Sequence, residues 1–246
     1  DLYARAKALA ILAKTLPENF HEEILNEVLK IKSAEYSDRI LIALSQNLLK
    51  KKLYNQALEI SCKIHFDFYR TSTLINLAKN LPENLLTQLR ETGYKIKTSS
   101  YKAIIISVLA GRQEDENLYN EALKITHQIH NEEYITEVLY TLSERLIKSL
   151  NQEVLKIARR IKNQKYHAEA LSILGENFQD ENLYDEALKV ASQIRDKYYS
   201  DKNLITVSQK LQDKNFYDEA IETARLIENK QSRIEVLRNF AEKLKD

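Results

Sequence analysis

The chain has 246 residues, 43% apolar and 30% charged, and 37 basic against 36 acidic side chains give a net charge of +1. That balance excludes a disordered chain and argues against global attraction to nucleic acid or anionic membranes. Three glycines and two prolines leave few strand turns, and no apolar run reaches the ~20 residues that span a bilayer. The lone cysteine, Cys62, permits no intramolecular disulfide and fits a reducing compartment, which predicts a cytoplasmic location. Methionine is absent even at position 1, which points to a fragment or a processed product.

In chain order, the first predicted element is an orphan helix around Ala4–Leu16. A unit of about 33 residues then runs seven times, over 21–51, 54–84, 85–117, 118–150, 151–182, 183–215 and 216–246. An isoleucine closes the first helix of each: Ile31, Ile64, Ile96, Ile129, Ile161, Ile194 and Ile227. Five residues on stands a tyrosine, at Tyr36, Tyr69, Tyr101, Tyr134, Tyr166 and Tyr199, until Ser232 breaks the series. These rings read as wedges between hairpins, with hydroxyls reaching water or backbone.

Each second helix then carries an apolar stripe at spacings of three and four, as in Leu41/Leu44/Leu48, Leu74/Leu77/Leu81, Leu139/Leu142/Leu146, Leu171/Leu174/Phe178, Leu204/Val207/Leu211 and Leu237/Phe240/Leu244. The residue after the middle member is always small: Ser45, Ala78, Ala110, Ser143, Gly175, Ser208 and Ala241. Seven small residues in register predict helix crossings too close for a larger side chain. Leu16-Pro17-Glu18-Asn19 returns at Leu81-Pro82-Glu83-Asn84, and the string from Asp115 to Leu123 returns from Asp180 to Leu188. Asn117 and Asn182 are the predicted N-caps of the helices that follow.

Leu174-Gly175-x-x-Phe178, Tyr184 and Ala187 resemble the tetratricopeptide pattern of Leu-Gly-x-x-Tyr, a turn tyrosine and a small alanine in the second helix. The array is also similar to helical-repeat sensor regions of bacterial signal-transduction ATPases. The resemblance implies an all-α fold, a right-handed α-solenoid of seven hairpins, roughly 70 Å long at ordinary helix spacing. It also implies a non-enzymatic scaffold binding a protein or peptide in a concave groove. Mapped onto this chain, the groove positions are Ile42, Ile75 and Ile104 as apolar anchors, then Glu137, Tyr140, Glu144, Glu169 and Glu176. Four carboxylates in one stripe favour a basic partner. The apolar stripe running to the last turn leaves an open end, which implies extension or end-to-end self-association.

Other chemistry finds less support. No phosphate loop, nucleophile elbow or isolated carboxylate pair marks an enzyme, and no cofactor is implied. His127 and His130 with Glu133 suggest a metal, but the His130 position is basic throughout (Lys32, His65, Lys97, Lys162, Arg195), as suits a helix C-terminus. Cys62 falls where Leu29, Tyr94, His127, Arg159, Ser192 and Arg225 stand in other units, which predicts an exposed, unspecialised site. Lys50-Lys51-Lys52 and Arg159-Arg160-Lys162 read as solvated faces. Base-by-base RNA recognition needs a repeating polar code, whereas the groove row mixes Arg39, Ser72, Ile104, Glu137, Glu169, Lys202 and Glu235. The alternatives to the scaffold are thus a sensor region of a larger signalling ATPase and, against this mixed row, an RNA-binding repeat.

Overall fold

In the computed structural model the described residues are 2–15, 17, 20–144 and 148–243, with the side chains of 2–7, 14, 148 and 181 left aside. Leu16, Glu18, Asn19, Leu146 and Leu244, members of predicted motifs, lie outside them. The described residues are all-helical. Long helices are α1 (Leu2–Thr15), α3 (Ala34–Lys50), α5 (Asp67–Asn80), α7 (Ser99–Gln113), α9 (Glu132–Ser143), α11 (Gln164–Phe178), α13 (Lys197–Asp213) and α15 (Lys230–Lys243). Between them run shorter ones: α2 (His21–Leu29), α4 (Tyr54–Cys62), α6 (Leu86–Tyr94), α8 (Glu116–Thr126), α10 (Asn151–Ala158), α12 (Glu181–Ala191) and α14 (Tyr217–Arg225). None of the helices is long and apolar enough to cross a membrane.

The chain divides into two compact units, residues 1–126 and 127–246. In unit 1 the long helices pack successively, α1 on α3, α3 on α5 and α5 on α7, and the orphan helix takes the place of a repeat's long helix. In unit 2, α9, α11, α13 and α15 do the same. The apolar stripes form the cores: Leu41, Leu44, Leu48, Leu74, Leu77 and Leu81 in unit 1, and Leu139, Leu142, Leu171, Leu174, Leu204 and Val207 in unit 2. Full burial of each such side chain contributes about 1.5–3 kcal/mol. Of the closing isoleucines all but Ile194 are buried.

Four hairpins turn abruptly from a long helix into the next short one, α3 to α4, α7 to α8, α11 to α12 and α13 to α14. Each passes through one left-handed residue: Lys52 (φ 63°), Glu114 (φ 51°), Gln179 (φ 56°) and Asn215 (φ 66°). The amide after each left-handed residue bonds back into the last turn, Leu53 to Leu48, Asp115 to Ala110, Asp180 to Gly175 and Phe216 to Leu211, satisfying carbonyls a helix end would otherwise strand. Between α5 and α6 the connection instead uses Pro82 and a 3-10 turn, Glu83–Leu85.

Those abrupt turns bring the small residues against the short helices. Ser45 Oγ donates to the Ala57 carbonyl (3.1 Å) and Ser208 Oγ to that of Ala220 (2.7 Å). A methyl added at Gly175 would stand 3.3 Å from Leu183 Cβ and 3.4 Å from the Asp180 carbonyl oxygen. Ala241 alone of the seven is exposed, because no described helix follows α15.

The N-caps differ from expectation. Asp115 accepts from the amides of Asn117 (2.9 Å) and Leu118, and Asp180 from that of Asn182 (3.1 Å). Both helices start earlier than read from the sequence, placing Asn117 and Asn182 inside the first turn. A carboxylate is as good a cap as an amide, and Asp-Glu-Asn offers both two residues apart.

Candidate functional site

The predicted groove residues divide between the units, the three isoleucines in unit 1 and the other five in unit 2. Ile42 and Ile75 are half-buried on α3 and α5. Ile104 is only 3% exposed, packed in the core of α7 between Ala103 and Ile105. A side chain so enclosed has no surface to offer a partner, and it drops out of the anchor row.

In unit 2, α9 buries Val138, Leu139 and Leu142 and turns Glu137, Tyr140 and Glu144 outward. Burial, and then the charge of Glu133 one turn back, hold the Glu137 carboxyl above the usual carboxylate range. The Tyr140 hydroxyl is bonded to Glu144, and this bond, with the charge of Glu144, raises its pKa. Across on α11, Glu169 and Glu176 are half-buried. Glu176 is not a bare charge: Lys210 of α13 reaches it at 2.6 Å. The four-carboxylate stripe is thereby reduced, its far end neutralised from inside the unit. Beside it, Lys165, Lys202 and Lys210 join Glu169, Glu176 and Asn203 around a cleft of about 100 Å³ between α11 and α13. The outward row runs from acidic on α9 to mixed on α11 and α13.

The tyrosine series is half-buried throughout, as wedges should be. Each ring is the third residue of its long helix, and three of them meet the second residue of the long helix before. Tyr101 lies against Phe68, ring centroids 6.0 Å apart. Tyr166 donates its hydroxyl to Glu133 (3.2 Å), a side chain rather than the expected water or backbone. Tyr199 lies under the Lys165 ammonium, 4.1 Å from its ring centroid. One geometry thus serves ring–ring, hydrogen-bond and cation–π contact.

A second set of couplings had no sequence forecast. Carboxylates near the start of one long helix bind two backbone amides in the loop before the next. Asp38 takes those of His65 (2.8 Å) and Phe66 (2.9 Å), and Asp201 those of Glu228 (2.7 Å) and Asn229 (2.8 Å). Asp67 takes Lys97 and Thr98, and Glu132 takes Lys162 and Asn163. Asp38 and Asp201 are fifth in their helices, whereas Asp67 and Glu132 are first; a turn of helix separates the two placements on one face. Burial pushes the Asp67 carboxyl up, but the bonds from Thr98 and Lys97 and the nearby Arg70 outweigh it and hold the group below its ordinary value.

The Cys62 position is exposed, as expected, but it is not unspecialised. Cys62 Sγ lies 3.4 Å from Thr92 Oγ1, Tyr94 donates to Glu121 (2.7 Å) and Arg159 bonds both oxygens of Glu186 (3.1 and 2.8 Å). Each contact joins one short helix to the next, and the residue type varies because the partner varies with it. Burial first, then Glu121, push the Tyr94 phenol up to about 12. His127 contacts Arg160, and among the described residues no three His, Cys, Asp or Glu side chains group as metal ligands.

No family model and no curated protein matches the chain. It is similar to a solved structure, Ton1535 from Thermococcus onnurineus NA1, at 15% identity over 98% of this chain and 91% of that one, with a TM-score of 0.24. A likeness that weak carries nothing about fold or function.

Proposed function

We propose that the chain is a non-enzymatic binding scaffold, its hairpins stacked in each unit as a tetratricopeptide-like α-solenoid, that takes a basic protein or peptide segment on the long-helix face of unit 2. The reading is carried by α9, which presents Glu137, Tyr140 and Glu144 outward beside Glu133, with Glu137 already resisting ionisation. A lysine or arginine brought to that face relieves the crowding of like charge, and Tyr140 offers it an aromatic surface 48% exposed. Glu169 extends the row onto α11, Glu176 contributes only in exchange for Lys210, and Ile42 and Ile75 are the apolar anchors proposed for unit 1. The sequential packing of long helices supports the solenoid reading, since each hairpin covers its apolar stripe with its neighbours.

The test is titration of a fluorescein-labelled lysine–leucine peptide. Glu137→Lys combined with Glu169→Lys is expected to weaken binding at least tenfold and to flatten its salt dependence. Wild-type affinity should also fall as pH drops through the raised pKa of Glu137, because protonation removes the charge the peptide reads. Unchanged affinity in the double variant would remove this face as the site.

A further inference from the structure

The junction of α13 and α15 departs from the ring geometry of the three junctions that join Tyr101, Tyr166 and Tyr199 to the long helix before. Its receiving residue is Tyr198, second in α13, and the third residue of α15 is Ser232, where the repeat elsewhere supplies a tyrosine. Tyr198 is accordingly left 71% exposed, more than any other large apolar or aromatic side chain described. Its ring is nevertheless held in place, standing edge-on to Tyr199 at 5.2 Å and 75°, while Tyr199 is in turn covered by Lys165. Where the absent ring would lie there is a cleft of about 630 Å³, lined by Tyr198, Lys202, Ile205, Asn229 and Ser232.

We infer that this cleft is a binding site for an aromatic side chain of a partner polypeptide, which takes the place of the missing tyrosine between α13 and α15. Three junctions of the same chain show what the position accepts from the second residue: a ring against Phe68, a ring bonded to Glu133, a ring under Lys165. Here the receiver is itself aromatic, so ring against ring, as at Phe68 and Tyr101, is the matching pair. Ile205 supplies an apolar wall, and Lys202 places an ammonium beside it. The acids of the cleft have partners within its own lining. Asp201 binds the Glu228 and Asn229 amides, and Glu228 is paired with Lys197 at 2.6 Å. A cationic side chain would have to displace Lys197 from Glu228, whereas a neutral ring displaces nothing. The inference rests on the scaffold reading only in taking the occupant from a polypeptide, and it uses none of the α9 glutamates.

The experiment uses N-acetyl-tyrosinamide and N-acetyl-phenylalaninamide as probes, with N-acetyl-leucinamide as the aliphatic control, followed by backbone amide NMR shifts of the full chain. Both aromatic amides should produce ring-current shifts at Tyr198, Lys202 and Ser232, binding at least tenfold more tightly than the leucine amide. Ser232→Tyr restores the repeat's own ring and should abolish the response, while Ser232→Ala should keep it. Tyr198→Ala, at a position 71% exposed, should lose it as well. Equal binding of the leucine amide, or an undiminished response in Ser232→Tyr or Tyr198→Ala, would overturn the proposal. Glu137→Lys alone, on α9 and outside the lining of this cleft, should leave these shifts intact, so the cleft and the acidic face fail separately.

Discussion

Phe68 in unit 1 and Lys165 in unit 2 occupy the same place, second in a long helix, and do the same job with opposite chemistry. Phe68 lies between Tyr69 and Tyr101, with centroids at 5.4 and 6.0 Å. Lys165 lies between Tyr166 and Tyr199, at 4.7 and 4.1 Å from their ring centroids. Around the first, Phe66 is also exposed; around the second, the outward residues are Glu137, Tyr140, Glu144 and a lysine–glutamate cleft. The backbone frame is therefore indifferent to what fills the outward positions. Buried leucines, small crossing residues and loop-binding carboxylates keep the repeat in register, which leaves the outward chemistry to differ between units.

The comparison would break if the shared frame were not equally necessary in both units. The largest effect is expected at the loop-binding carboxylates, where Asp38→Ala in unit 1 and Asp201→Ala in unit 2 each strand two amides. Each variant loses two hydrogen bonds to a charged group, at about 1.5–3 kcal/mol apiece, and should lose about 3–6 kcal/mol in urea unfolding. A loss in one unit and none in the other would show that the frame is not common. Next comes the crossing position: Ser208→Leu should cost about 1–3 kcal/mol by overpacking, while Ala241→Leu, in the same register but exposed, should stay within about 0.5 kcal/mol. Equal costs would mean that register rather than proximity matters. Smallest is the exchange Phe68→Lys with Lys165→Phe, expected to change stability by less than about 1 kcal/mol because either side chain can lie on a tyrosine ring. A larger thermal shift would tie each side chain to its own unit and end the equivalence.

Much of this frame was legible in the residues themselves. The isoleucine series marks the ends of the short helices, and the tyrosine series marks the third residue of every long one but α1 and α15. The small series foretold crossings that Ser45, Ser208 and Gly175 make against Ala57, Ala220 and Leu183. The caps were misplaced by two residues because Asp and Asn compete for one role within a single turn. The loop-binding carboxylates stayed hidden for another reason. Their partners are backbone amides 27 to 31 residues ahead, which carry no side-chain signature, and the acid itself moves by a helical turn between Asp38 and Asp67. Of the candidate site, Glu137, Tyr140 and Glu144 were picked out by the repeat resemblance and stand exposed, but the burial of Ile104 and the pairing of Glu176 with Lys210 were not foreseen.

By itself, then, the sequence determined an all-helical chain and the small positions where its helices cross, because periodicity and side-chain size act within a helix and need no knowledge of what lies across from it. Tertiary structure alone decided which charges are spent on neighbours, which isoleucines are enclosed, and that Ser232 opens a cleft beside Tyr198. Those outcomes depend on distances between residues some 30 positions apart, which packing sets and local pattern does not.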